Sequence, residues 1–394
     1  MVACGSGRQR WLLHDAAKVL EGSPLLPDDG ICAPNPHVPS AIGPAEPEWS
    51  MVDWTKPEYS RSAVKRAGKV LVTHGVGSHD LYEAIQVINN WRSAHGYALN
   101  SLTVLLRDNA QKVDDAAVIV QRLKRLHSIR AKLERTNLDL LQMQDIGGCR
   151  AVVSNVDSVL RIVGRLFRSR TKHQLIDFDD YITEPKKSGY RSFHLMFKHQ
   201  SAARTEFNGL RIELQVRTAL QHAWATAVEA VGLFTQQDLK GSLGDHRWLD
   251  FFALMGTELA LREGTEPIPG TPDTRSGVRA ALREVERELD AIPKLQAYGI
   301  ALKEIEDATA WPAASFFLLE LDVAKNELRV TGFSHREQTQ AQAAYERAEA
   351  QASVAAGVDT VLVTADSMDA LRRAYPNYFA DTTKFVQAVR RAID

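Results

Sequence analysis

The sequence predicts a mixed α/β protein, and three observations carry that reading. "GCRAVVS" at 148–154 has the length and β-branched content of a buried strand. "NVDSVLRIVGRLFRS" at 155–169 then repeats its apolar residues at helical spacing, with Asn155 or Asp157 placed to cap it. "FHLMFKH" and "LRIELQVRT" read as two strands on either side of a turn at Asn208-Gly209. Together they define a mixed α/β domain over residues 118–235.

The flanking regions differ. Residues 1–50 are crowded with Pro, Gly and small residues and are expected to form a flexible tail, with Met51 as an alternative start. Residues 51–117 form a helical N-terminal region, with two or three helices between 56 and 111. "DDAAVIVQRLKRLHSIRAKLERT" reads as one or two further helices with a basic face. Residues 236–309 form a helical extension: "HRWLDFFALMGTELALREG" is one helix, and 278–310 is a helical pair. The last segment, 310–394, reads as a small α/β module. It has a hairpin turning near Lys325-Asn326, a helix over 337–354, a strand "VDTVLVTA" and a terminal helix.

Composition narrows the function. The chain has 394 residues, so two or three domains are expected. Lys+Arg total 48 against 49 Asp+Glu, which excludes a generally basic protein that coats nucleic acid but permits a local basic site. The three cysteines, Cys4, Cys32 and Cys149, have no metal-like spacing and fit a reducing, cytoplasmic setting. The sequence has no apolar run long enough to span a membrane.

Residues with chemical potential cluster in four places. Asp145 stands just before the "GCRAVVS" strand. Glu213 shares one strand face with Arg211, Gln215 and Arg217, while Ile212, Leu214 and Val216 share the other. That polar face suits plain solvent contact. It equally suits a cleft in which a carboxylate holds Mg²⁺ and a guanidinium meets phosphate. Arg122, Lys124 and Lys132 form one cationic set. Lys186, Lys187, Arg191 and His194 form a second, inside "EPKKSGYRSFH". In that stretch Tyr190 offers a ring for a base, and Gly189 allows close backbone approach or an unusual backbone angle. Taken singly, each segment is also readable as a solvated turn or helix face.

The order of these segments resembles the synthetase domain of the RelA/SpoT family, especially its stand-alone small alarmone synthetases. The resemblance rests on "RLKRLHSIRAKL", "DIGGCRAVV", "DYITEPKKSGYRSFH", "IELQVRT" and "QHAWATAVE", which cover about 118–235. It implies a nucleotidyltransferase-like mixed sheet with flanking helices, and a pyrophosphokinase that moves pyrophosphate from ATP to the 3′-hydroxyl of GDP or GTP. It implies Asp145 and Glu213 as catalytic Mg²⁺ carboxylates, with Glu213 also as base or orienter for the attacking hydroxyl. Arg122 and Arg150 would stack on the adenine, and Lys124 and Lys132 would meet the ATP phosphates. Tyr190 would stack on guanine, Lys186 and His194 would hold the acceptor phosphates, and Gln215 and Arg217 would line the same strand. Some toxic relatives modify the tRNA 3′ end instead, and "RIVGRLFRSRTKHQ" supplies exposed cations for that alternative. A catalytically inactive nucleotide-binding protein is the third reading. The extra N- and C-terminal regions also fit a toxin with a fused neutralising or sensing module, and a homo-oligomer and an antitoxin or regulatory partner are further expectations. His79-Asp80 lacks the companion ligands of a metal-dependent hydrolase, and Asp80 is expected to cap a helix starting at Leu81.

Overall fold

The computed structural model describes residues 54–394 apart from 74–78, 236–238, 240–243, 302, 307–313, 323–324, 326, 353–357, 366–367 and 376–381. The tail expected over residues 1–50 lies outside the described residues. In chain order the elements are α1 (Arg61–Thr73), α2 (His79–Gln111), β1 (Val118–Leu123), α3 (Leu126–Arg135), β2 (Gly147–Val153), α4 (Val156–Phe167), β3 (Gln174–Asp180), β4 (Phe193–Lys198), β5 (Arg211–Thr218), α5 (Ala219–Thr235), α6 (His246–Glu263), α7 (Arg275–Leu289), α8 (Ala291–Ala301), β6 (Lys303–Glu306), β7 (Ala314–Asp322), β8 (Glu327–Ser334), α9 (Gln338–Ala352), β9 (Val358–Thr364), α10 (Met368–Ala374) and α11 (Thr383–Ile393). The mixed α/β class follows directly.

The strands form one nine-stranded sheet in the order β3-β4-β5-β2-β1-β9-β7-β8-β6. β2 and β5 run parallel, as do β6 and β8, and the other pairs are antiparallel. Strand β9, from the C-terminal segment, pairs with β1 through Gln121↔Thr364 and Arg122↔Val363. One sheet therefore runs through both the 118–235 and the 310–394 segments.

Helix α2 covers one face of this sheet at β1, β2 and β5. Its buried residues Ala84, Ile88, Trp91, His95, Leu99, Leu102 and Leu106 recur at three- and four-residue spacing, which makes one apolar stripe. Burying one such Leu or Ile stabilises the fold by roughly 1.5–3 kcal/mol relative to exposing it. The close approach needs Gly147. A Cβ there would stand 2.8 Å from Ile212 Cδ1 and 3.5 Å from Leu99 Cβ. With α2 on the Ile212 side, the Glu213 side of β5 is left for other uses. A second core joins α5, α6, α7 and α11 through Trp224, Phe252, Leu282 and Phe385.

The C-terminal segment is fastened by ionic contacts as well as by the sheet. Arg92 of α2, fully buried, donates to Glu349 of α9 at 2.8 and 3.2 Å. The same carboxylate accepts the Tyr345 hydroxyl at 2.7 Å and the Leu126 backbone N–H at 2.7 Å. Arg125 pairs with Asp359 of β9. The N-cap residue of α3, Arg125, makes no side-chain cap bond, so Glu349 caps that helix from more than two hundred residues away.

Five sequence expectations change. "VIVQRL" is β1 and not helix: it lies between two sheet strands and its β-branched residues pack there. "LIDFDD" is strand β3, 303–306 adds β6, and α10 adds a short helix after β9. The helix at 79 starts at His79, with Asp80 inside its first turn and His79 Nδ1 3.6 Å from Glu83. No helix among the described residues is long and apolar enough to cross a membrane.

Candidate active site

The face opposite α2 gathers most of the residues singled out from the sequence. Register places Arg122, Gly148, Glu213 and Met196 in one row across β1, β2, β5 and β4. The next row holds Val120, Arg150, Gln215 and His194. Opposed residues in a sheet project to the same side. Gly148 has no side chain, and a Cβ there would meet only the Glu213 carbonyl oxygen, at 3.7 Å. A hollow therefore lies over Gly148, bounded by Arg122, Arg150 and Glu213.

Two carboxylates sit at this hollow. Asp145, in the loop before β2, accepts Lys124 Nζ at 2.8 Å and Lys132 Nζ at 3.0 Å. Lys124 is placed by its backbone N–H, which donates to the Ile146 carbonyl at 2.8 Å. Lys132 comes from the last turn of α3, where the helix dipole favours a cation. Burial pushes the Asp145 carboxyl up, but Lys124 and Lys132 outweigh it and hold it below the usual range, while Glu213 pushes it up. The two carboxylates are neighbours by position, since Asp145 stands two residues before β2 and Gly148 of β2 lies opposite Glu213.

Glu213 belongs to a chain of polar contacts. Its Oε1 lies 3.0 Å from His194 Nδ1, and its Oε2 accepts Gln215 Nε2 at 2.6 Å. Gln215 Oε1 in turn accepts Arg150 Nε at 3.1 Å. His194 Nε2 lies 2.9 Å from the Tyr190 hydroxyl. Burial draws His194 down, but Tyr190 and Glu213 outweigh it and hold the imidazole up at about 9. Burial draws Glu213 up, and His194, the Gln215 amide and Lys132 bring it down to about 2. At neutral pH the pair is an imidazolium and a carboxylate.

The raised imidazole has a stability consequence with a definite sign. Its folded value lies above the ordinary 6.5, so its contribution is fully present below about pH 6.5 and is lost as pH rises through about 9. Urea unfolding of the wild type is expected to weaken over that window. His194→Gln is expected to remove the slope. An unchanged slope in the variant would show that His194 is not the titrating group.

The loop between β3 and β4 forms the other wall. Lys186 N donates to Tyr190 O at 3.4 Å, Gly189 N to Lys186 O at 2.8 Å, and Tyr181 N to Ser192 O at 3.1 Å. This turn brings Tyr181 beside Tyr190, with ring centroids 6.0 Å apart. Lys186 Nζ sits 4.2 Å from the Tyr181 ring centre and 5.4 Å from that of Tyr190. Trp224 of α5 closes the far side of Tyr190 at 6.4 Å.

Gly189 shapes this wall by touching protein. It has φ +98°, and a Cβ would stand 2.8 Å from both the Phe252 carbonyl oxygen and Trp224 Cζ2. It also rests against Gly256 of α6. Gly189→Ala is expected to destabilise the protein by roughly 2–4 kcal/mol, from the disfavoured φ plus the overlap. Gly209 has φ +88°, and a Cβ there would meet only Lys198 Cε at 3.5 Å. Gly209→Ala should therefore cost clearly less in the same melt, and equal costs would remove the role given to the close contact.

Not every expected cation joins the site. Arg191 turns away, donating to the carbonyls of Ile182 (3.0 Å) and Glu266. It braces the loop against the segment after α6. Arg217 is buried and its Nη2 meets His222 Nδ1. Burial and the neighbouring Arg217 hold His222 well below its usual value, so it is neutral. Its Nδ1 accepts from the guanidinium, so Nε2–H donates to the Arg373 carbonyl at 3.0 Å. Arg217 thus faces the C-terminal segment. Tyr375 reaches the same region, its hydroxyl 3.4 Å from the Gln121 carbonyl.

The sequence reading passed over Tyr181, Trp224 and His222. All three lie inside the motifs quoted above, and a turn bringing 181 opposite 190 is the available signal for the tyrosine. His222 matters only through contacts that local patterning does not show.

Against this geometry, residues 121–237 match the family model described as "Region found in RelA / SpoT proteins". That match covers under a third of the chain and all of the hollow's strands β2, β4 and β5. Over 111 residues it is 34% identical to GTP pyrophosphokinase YjbM of Bacillus subtilis, covering 27% of this chain and 52% of that protein. GTP pyrophosphokinase YwaC of the same organism is 26% identical over 130 residues, covering 32% and 61%. A GTP pyrophosphokinase of Haemophilus influenzae is 27% identical over 124 residues, covering 32% and 15%. The chain thus spans about half the length of the first of these relatives and less of the long one. Among solved structures, small alarmone synthetase 1 from Bacillus subtilis bound to its product pppGpp aligns at 25% identity and TM-score 0.31, over 51% of this chain and 93% of that one. The matched residues 121–237 include both carboxylates, both loop aromatics and every cation of the hollow.

Proposed function

We propose that the chain is a Mg²⁺-dependent pyrophosphokinase that transfers pyrophosphate from ATP to the 3′-hydroxyl of GDP or GTP, giving a guanosine 3′-pyrophosphate and AMP. One observation carries the reading most directly. Two ionised carboxylates, Asp145 and Glu213, stand at a hollow ringed by Lys124, Lys132, Arg122 and Arg150, beside an aromatic loop bearing Tyr190. The GTP pyrophosphokinase names of the relatives agree with it.

The residues divide the work between two nucleotides. Arg122 and Arg150 flank the hollow over Gly148 and offer planar guanidinium faces to the ATP adenine. Lys124 and Lys132 stand beside its phosphates. Tyr190 offers its ring to guanine, and Lys186 and protonated His194 offer charge to the acceptor phosphates. The 3′-oxygen attacks the β-phosphorus, the bond between that phosphorus and the α,β-bridging oxygen breaks, and AMP leaves with the oxygen. Fixed cations stabilise charge developing on the triphosphate, and holding both nucleotides on one face supplies proximity.

The donor set fits Mg²⁺. Asp145 and Glu213 are two ionised oxygen donors within electrostatic reach of each other, and Mg²⁺ is commonly held by one or two carboxylates with waters and substrate phosphates completing its shell. When bound, the ion supplies neutralisation of phosphate charge. Glu213, held well below its ordinary value by His194, Gln215 and Lys132, accepts the hydrogen bond of the 3′-hydroxyl and orients it, and the proton released as the oxygen attacks passes by way of this carboxylate to solvent.

The test is direct. Purified protein is given Mg²⁺ and ATP labelled on the γ-phosphate, with GDP, GTP and deacylated tRNA as separate acceptors. Label in a guanosine product is the expected result. Label on tRNA alone would move the acceptor to RNA, and no transfer to any acceptor would leave a nucleotide-binding protein without this activity.

A further inference from the structure

We infer that a second anion site, distinct from the hollow on the sheet, lies among α6, α7 and α11 and takes a small phosphate anion such as pyrophosphate. A cavity of about 290 Å³ there is lined by Glu258, Arg262, Arg275, Arg279, Arg391 and Ala392. Four guanidinium groups face one carboxylate. Glu258 is already committed to Arg262, at 2.6 Å. Arg262 also donates to the Ala388 carbonyl, and Arg275 to that of Leu261, each bond fixing a cation at the cavity wall.

Arg275, Arg279 and Arg391 are exposed, so water screens much of their mutual repulsion, but the cluster still carries a net positive charge. Arg275 and Arg279 are four residues apart on α7, so like charges face each other on one helix surface. Both lie near the start of that helix, where the dipole is positive, and its first turn carries no acidic residue to compensate. A bound anion would meet several of these cations at once. Guanidinium forks suit phosphate oxygens in pairs, and four of them suit a ligand with more than one phosphate.

The lining also bears on what the ligand lacks. None of the six lining residues is aromatic, so a nucleobase could stack only on a guanidinium taken away from the phosphate oxygens. The recognised chemistry is the phosphate group itself, whether free or at the end of a nucleotide. Helix α6 also carries Gly256, which rests on Gly189 of the aromatic loop, so the two sites share one helix.

Titration calorimetry of the full chain with inorganic pyrophosphate, without Mg²⁺ and at fixed ionic strength, tests this. A Lys132→Gln background suppresses binding at the hollow. In that background, pyrophosphate is expected to bind. The added pair Arg279→Gln and Arg391→Gln should weaken binding by about tenfold or more. Arg279→Lys should retain part of it. ADP should bind there no tighter than pyrophosphate. In the unliganded state, the melting temperature of the Arg279→Gln variant should equal or exceed that of its parent, which also reports that it folds. Unchanged affinity in the double variant overturns the site. Equal binding of sulfate at the same ionic strength reduces it to general counterion attraction and overturns it as well. Tighter ADP binding that the double variant abolishes overturns the assignment to a bare phosphate ligand.

Discussion

Glu213→Gln is expected to lower pyrophosphate transfer by about a thousandfold while leaving the fold in place. The size follows from what the carboxylate does. It is one of two ionised donors at the hollow, and it is the counter-charge of His194 at 3.0 Å. A glutamine keeps the shape and can still bond Gln215 and the imidazole. It supplies no negative charge for a metal ion, and it lets the His194 value fall. Two measurements separate these effects. Transfer from γ-labelled ATP reports the chemistry, and an NMR titration of His194 reports the lost charge. Near wild-type transfer would remove Glu213 from the site. Transfer lost with the His194 value still near 9 would mean that another group holds the imidazolium.

Glu349→Ala is expected to destabilise the protein by about 3–5 kcal/mol, because Arg92 would be left buried and unpaired. The cost exceeds that of an ordinary surface pair, since Arg92 is fully buried and stacks near the Tyr345 ring, 5.3 Å from its centre. Loss of the cap on α3 adds to it. Helix α3 carries Lys132, so the variant should also slow transfer at temperatures where it remains folded. Urea unfolding checks the first part and the γ-label assay the second. A double variant, Arg92→Met with Glu349→Leu, removes both charges and should recover most of the stability, but not the cap. If the single variant unfolds at the wild-type urea concentration, the pair does not hold the segments together.

The outcome for α3 shows where sequence reading reached and where it stopped. Helical periodicity is legible over the longer stretch 114–136 that contains it, and so is the alternation of β5 that puts Glu213 and Gln215 on one face. Both are local patterns with a fixed repeat. The preceding "VIVQRL" reads as part of the helix because a six-residue stretch with three apolar residues in a row carries no repeat of its own. Only the pairing of Val118–Leu123 with β2, and of Gln121 and Arg122 with β9, decides for a strand. The same holds for Glu349. Nothing in "AAYERAEAQA" shows that one glutamate caps a distant helix and neutralises an arginine in α2. Arg191 and Arg217 illustrate the opposite case. They stand in the right motifs, yet burial turns them toward carbonyls and a histidine, because a buried guanidinium takes whatever acceptors lie nearest.

The pairing of β1 with β9 sets a boundary condition on any attempt to isolate the synthetase-like part. A chain ending before residue 310 would carry β1 as an outer strand, with the backbone groups of Gln121 and Arg122 stripped of their partners. The face of Val120 would lose its cover from Leu371 and Tyr375. An unguarded, apolar strand margin is a template for adding another chain. The shortened protein would therefore be expected to self-associate, and its solution behaviour would report a surface that the full chain keeps sealed.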